Sequence, residues 1–171
     1  MQRKHWSYVI VLATCGLIPW AIASFTVHDI VYSQPANVKS ITVNKAEFGV
    51  LRDSSSHKST FIPTNKVILK EGNKYGWRIH LKNYQGVVTW REVIKLPKVP
   101  ETWSTNSGED FSLSTNGTEA VTKRIQEAKK GVIENFWTMT PGDPAGKHTI
   151  EIYVNDLCIA SFNFEVISKK K

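Results

Sequence analysis

The sequence predicts an all-β protein: a single antiparallel sandwich of seven or eight strands, preceded by an N-terminal signal segment. Three observations carry that expectation. Residues 148–154 and 158–166 alternate apolar and polar side chains, the period of a half-buried strand. Residues 75–82 alternate in the same way, with Tyr75, Trp77, Ile79 and Leu81 on one parity and Arg78, His80 and Lys82 on the other. Turn formers punctuate the chain at short intervals, at Gly72-Asn73, Gln85-Gly86, Asn116-Gly117, Pro141-Gly142 and Asn155-Asp156.

At the N-terminus Arg3 and Lys4 precede an uncharged run from Tyr8 to Val27, and Pro19 stands shortly before the small-x-small triplet Ala21-Ile22-Ala23. A charged start, an apolar centre and an A-x-A end are the marks of a secretory signal cut after Ala23. The same run is long enough for an uncleaved inner-membrane anchor over 8–27, which stays open as the alternative. Lipidation at Cys15 is a third reading, and Thr14 before it speaks against it. Expected boundaries are a signal peptide 1–23, a turn-rich linker 24–37, the sandwich 38–167 and a basic tail 168–171. Export to the periplasm or beyond the cell follows from the signal; membrane contact follows only if the segment is uncleaved.

The net charge of +7 owes much to Lys169, Lys170 and Lys171 at the very end. Nucleic-acid binding needs basic residues clustered on a structured face with aromatics between them, and no such stripe exists here. Of the two cysteines only Cys158 survives cleavage, so no disulfide forms within the mature chain.

Along the chain, Ile41, Val43, Phe48 and Val50 mark a first strand interrupted near Lys45-Ala46-Glu47, and residues 53–59 are a polar loop. Residues 66–70 form a short strand before the strongly alternating 75–82. In residues 87–96 the even positions Val88, Trp90, Ile94 and Leu96 are apolar, and Glu92 breaks their face. A bulge that carries Glu92 out to solvent is the expectation; a buried carboxylate with hydrogen-bonding partners is the alternative. Pro97 and Pro100 end the strand and open a connector that reaches Asp110. Residues 118–130 fit a helical face through Val121, Ile125 and Ala128, with Gly131 as its stop, yet Asn116-Gly117 is a hairpin signal. Strand is the assignment for 118–126. Residues 131–139 supply another strand, with Ile133, Trp137 and Met139 on one parity.

The final hairpin has the inward set Ile150, Ile152 and Val154 on one arm and Cys158, Ala160, Phe162, Phe164 and Val166 on the other. Pairing 154 with 158, 152 with 160 and 150 with 162 demands an odd loop, Asn155-Asp156-Leu157, and buries Cys158. A two-residue Asn155-Asp156 turn in a regular ladder turns Glu151 toward the core, so side-chain parity argues against it.

Four pieces of the chain, Glu47-Phe48-Gly49-Val50, Tyr75-Gly76-Trp77-Arg78, Trp137 with Gly142-Asp143-Pro144-Ala145-Gly146, and Phe162-x-Phe164-x-Val166, resemble a family of exported bacterial proteins of unknown function. The resemblance spans about residues 46 to 167, departs in 118–130, and implies an immunoglobulin-like β-sandwich and export. It assigns no role to any residue.

Chemistry is sparse. His28, His57, His80 and His148 have no metal-ligand spacing, and no phosphate loop or H-E-x-x-H is present, so neither metal nor cofactor is expected. Asp143, Asp156 and Asn116 sit where tight turns select such residues. Trp77, Trp90 and Trp137 fall on inward parities and belong to the core. Trp103 is the exception, because its connector has no alternation to hide it. It either folds back to plug one end of the sandwich or stands out as a platform for a sugar or peptide, beside Ser104, Thr105, Asn106 and Ser107. The expected function is a non-catalytic binding or structural module of the bacterial cell envelope, with an envelope protein or glycan as partner. The alternative is an exported hydrolase, marked by a cleft that holds His57 or His148 against a carboxylate.

Overall fold

The computed structural model describes residues 41–53, 59–103 and 110–168. The expected signal segment, the linker, the lysines of the tail, His28, His57 and the polar residues 104–107 lie outside the described residues. Ten strands follow in order: Val43–Asp53 (β1), Ser59–Pro63 (β2), Lys66–Leu69 (β3), Lys74–Leu81 (β4), Val87–Lys95 (β5), Asp110–Leu113 (β6), Glu119–Glu127 (β7), Val132–Thr138 (β8), Gly146–Val154 (β9) and Leu157–Ser168 (β10). They exceed the expected seven or eight partly because Ser59–Pro63, short and without alternation, gives no pattern of its own. The described residues contain no helix.

Two sheets face each other, one ordered β2-β1-β4-β8 and the other β3-β10-β9-β5-β7-β6. All ladders are antiparallel except one: β3 runs parallel to β10, pairing Lys66 to Leu69 with Glu165 to Ser168. The interleaved order arises because the chain crosses between the sheets after β2, β3, β4, β7 and β8, which lets both apolar faces close on one core. That core is filled as the alternation dictates. Trp77 and Ile79 of β4 meet Trp90 and Ile94 of β5, with the Trp77 and Trp90 rings edge to face at 5.1 Å. Near β10, Phe48 stacks on Phe164 at 4.2 Å, and Tyr75 lies 5.5 Å from the same ring. Each fully buried side chain of this size contributes roughly 1.5–3 kcal/mol through the hydrophobic effect.

The ambiguous stretch 118–130 is strand over Glu119–Glu127, paired with β6 on one side and β5 on the other. Asn116 builds the turn before it, its Oδ1 accepting from Ser114 Oγ, Thr118 N and Thr118 Oγ1, while Gly117 takes φ +71°. Gly131, at φ +75°, turns the chain into β8 instead of stopping a helix.

The final hairpin corrects the parity argument. Its turn is the two-residue one, Asn155 and Asp156 at φ 50° and 61°, which pairs Val154 with Leu157 and Tyr153 with Cys158. The register then shifts between Cys158 and Ala160, so that Ala160 pairs with Ile152 and Phe162 with Ile150, as expected. A bulge at Ile159 therefore absorbs the extra residue that the loop was expected to hold. Residues beyond it return to the inward parity, while Cys158, before it, is exposed and not a core residue.

Candidate functional site

Glu92 is the most unusual side chain of the interior. The ladders of β5 with β7 and with β9 run without a register shift, so no bulge turns residue 92 outward. It stays on the parity of Trp90 and Ile94 and is completely buried, which overturns the solvent-facing expectation. Its carboxylate crosses the sandwich to three donors of the opposite sheet. Oε2 accepts from Trp77 Nε1 of β4 and, at 3.0 Å, from Asn135 Nδ2 of β8; Oε1 accepts from Trp137 Nε1 at 2.5 Å. A lone buried charge costs several kcal/mol, and charge-assisted N–H donors are what offset it. Burial still pushes the carboxyl above the ordinary carboxylate range, against the pull of the three donors and of the Arg124 charge. Enclosed on every side, Glu92 ties β5 to β4 and β8.

The second feature is an aromatic end. Trp103, in the connector after β5, folds against the core; its Nε1 donates to the Gly117 carbonyl at 3.1 Å. Its ring lies 6.1 Å from Phe111 and 6.4 Å from Trp137, edge to face with the latter. All three rings are half-buried and so leave part of their surface to solvent. Beneath them, Trp103, Trp137, Tyr75, Met139, Asp143 and His148 border a cavity of about 30 Å³, room for a water molecule or two. Trp103 thus packs against the end of the sandwich while part of its ring faces solvent.

The remaining expected residues disperse. His148 is buried, stacked on Phe164 at 5.1 Å, with Nδ1 3.0 Å from the Gly146 carbonyl; the Asp143 carboxylate borders the same cavity and acts on the ring through its charge, without a hydrogen bond. Burial holds its imidazole below the ordinary value. Asp143 serves its turn, accepting from Thr140 N at 2.7 Å and Thr140 Oγ1 at 3.2 Å. His80 stays on the outer face of β4. Among the described residues no group of three His, Cys, Asp or Glu gathers as a metal site. Trp77 and Trp90 are core, and each of the four indole N–H groups finds an acceptor, Trp90 through Gln126 at 2.9 Å. The Glu92 centre had a signal in the sequence: Glu92 and Asn135 are polar residues on otherwise apolar parities of two strands, and two such residues can answer one another across a core.

The two all-β layers and their strand order define an immunoglobulin-like β-sandwich domain. Residues 46–167 match the PM0630 beta sandwich domain, and the chain belongs to that family. An immunoglobulin-like protein (PA1606) from Pseudomonas aeruginosa superposes with a TM-score of 0.52 at 17% identity, over 77% of this chain and 100% of that one, which supports the fold alone. Looser likenesses are BslA, a bacterial hydrophobin (TM-score 0.39, 10% identity, 76% of this chain and 99% of that one), and the alkylpurine DNA glycosylase AlkC of Pseudomonas fluorescens (TM-score 0.34, 12% identity, 71% and 30%). A search of curated proteins finds no match.

Proposed function

We propose that this chain is a non-catalytic binding or structural module of the bacterial cell envelope, with an envelope protein or a glycan as its partner. The observation that carries the reading is the aromatic end, where Trp103, Phe111 and Trp137 are packed together yet each keeps exposed surface. Rigid aromatic rings held in place by the core present apolar area at low entropic cost, which suits a sugar face or a peptide. The cavity beneath is too small for either, so contact is made on the surface of the cluster. Export rests on the pattern of Arg3, Lys4, the apolar run and Ala21-Ile22-Ala23; the alternative leaves the chain anchored in the inner membrane by residues 8–27.

Trp103→Ala tests the contact surface, assayed for melting temperature and for capture on a panel of cell-wall polymers and glycans. Unchanged melting with lost capture supports it. A stability loss of about 3 kcal/mol or more, the cost of removing a core aromatic, with no ligand captured by the parent protein, leaves Trp103 as a plug and ends the platform reading. Fractionation with mass measurement tests export: a mature chain that begins at Ser24 supports cleavage, and an intact chain in the inner-membrane fraction supports the anchor.

A further inference from the structure

The two oxygens of Glu92 are unequally held. Oε2 has the donors of Trp77 and Asn135, whereas Oε1 has Trp137 alone. A set made only of donors satisfies the anion; a neutral carboxyl adds an O–H that needs an acceptor. The neighbouring strand offers one. Thr122 stands directly opposite Glu92 in the β5·β7 ladder, is buried at 1% exposure, and its Oγ1 has no hydrogen-bond partner. Directly opposed residues hold their Cβ atoms about 5 Å apart, so rotation about the outer torsions of Glu92 brings one oxygen within reach of that hydroxyl. An orphaned buried hydroxyl costs stability, and this position gives it a use.

We propose that Glu92 and Thr122 form a proton-operated switch between the sheets: ionised, Glu92 binds the donors of β4 and β8; protonated on Oε1, it donates to Thr122 Oγ1 and releases the Trp137 indole. Trp137 is the donor to lose, because its oxygen has one partner and its half-exposed ring can reach water. Trp77 and Asn135, at 0% and 4% exposure, cannot. The charge of Arg124 on β7 favours the ionised form, and Tyr75 on β4 is the other titratable group that senses Glu92. From β8 and β9 come Asn135, Trp137 and Ile152, none of which titrates. Since Trp137 lies edge-on to Trp103, the proton is felt at the aromatic end, where the released indole is freer to move.

Indole N–H resonances of the whole chain, followed by proton–nitrogen spectroscopy against pH, read the switch. The Trp137 signal is expected to move with a single midpoint above 4.5, the ordinary carboxylate value, with Trp103 following weakly and Trp90, bonded to Gln126, still. Thr122→Val removes the acceptor of the neutral form and lowers that midpoint by about one pH unit. Glu92→Gln abolishes the transition. A Trp137 signal that does not titrate while the fold persists, or a midpoint unchanged in Thr122→Val, overturns the proposal. Both readings stand even if Glu92→Gln fails to fold.

Discussion

Gly49 and Gly76 face one another across the β1·β4 ladder on the outer face of the four-stranded sheet, and neither position has room for a side chain. A Cβ on Gly76 would overlap the Asn135 carbonyl oxygen and come within 2.8 Å of Phe136 Cα; one on Gly49 would overlap the Ile62 carbonyl oxygen and touch Phe61. The bare floor lets Phe61 of β2 and Phe136 of β8 meet over it, edge to face at 6.0 Å, with the Arg78 guanidinium 4.9 Å above the Phe61 ring. Residues of the two edge strands, with two strands between them, thus make contact across the middle of a sheet. The physical content of the Glu-Phe-Gly-Val and Tyr-Gly-Trp-Arg motifs is this pair: an inward aromatic beside an outward glycine in each strand.

Gly76→Ala is accordingly expected to destabilise by about 2–3 kcal/mol, because the obstacle is backbone of β8 and not a movable side chain. Gly49→Ala costs a similar amount. Urea unfolding of both variants checks this; a loss under about 0.5 kcal/mol at Gly76 would show that β4 and β8 lie farther apart than described.

Glu92→Leu removes the acceptor of three N–H groups while keeping apolar volume, and unpaired buried donors cost about 1–3 kcal/mol each. A loss of about 3 kcal/mol or more is expected in denaturant melts. The double variant Glu92→Leu with Asn135→Leu loses less than the two separate losses summed, since the second change removes a donor already orphaned.

Stability against pH carries two opposed slopes. The folded Glu92 carboxyl lies above its ordinary 4.5, so the folded state holds a proton that the unfolded chain has lost; this contribution is complete below 4.5 and disappears as pH rises through the folded value. His148 lies below its ordinary 6.5, so the unfolded chain binds its proton first, and stability from this residue rises with pH up to 6.5. Measured from pH 4 upward, Glu92→Gln removes the falling component and leaves the rising one. Identical pH profiles for parent and variant would contradict the burial of Glu92.

Cys158 is expected to react with a thiol reagent in the native protein at nearly the rate seen in denaturant, since the bulge leaves it exposed on the outer face. Slow native labelling would restore the odd-loop register. Asp156→Gly, at φ 61° in a two-residue turn, is expected to stabilise by about 0.5 kcal/mol, because glycine takes the left-handed conformation without steric cost.

What the sequence determined by itself was everything that follows from local periodicity. Tyr75, Trp77, Ile79 and Leu81 face inward because residues of equal parity share one side of a strand, and no partner is needed to know it. Asn116-Gly117 and Asn155-Asp156 are turns because few residue types tolerate such backbone angles. Tertiary structure alone decided the rest. A regular pattern cannot announce a bulge, so the position of the extra residue in the last hairpin, and with it the exposure of Cys158, was settled by how β10 meets β9. Glu92 reads as a fault in its strand until Trp77, Asn135 and Trp137 arrive from the other sheet, since a buried charge is tolerated only where donors from distant parts of the chain converge.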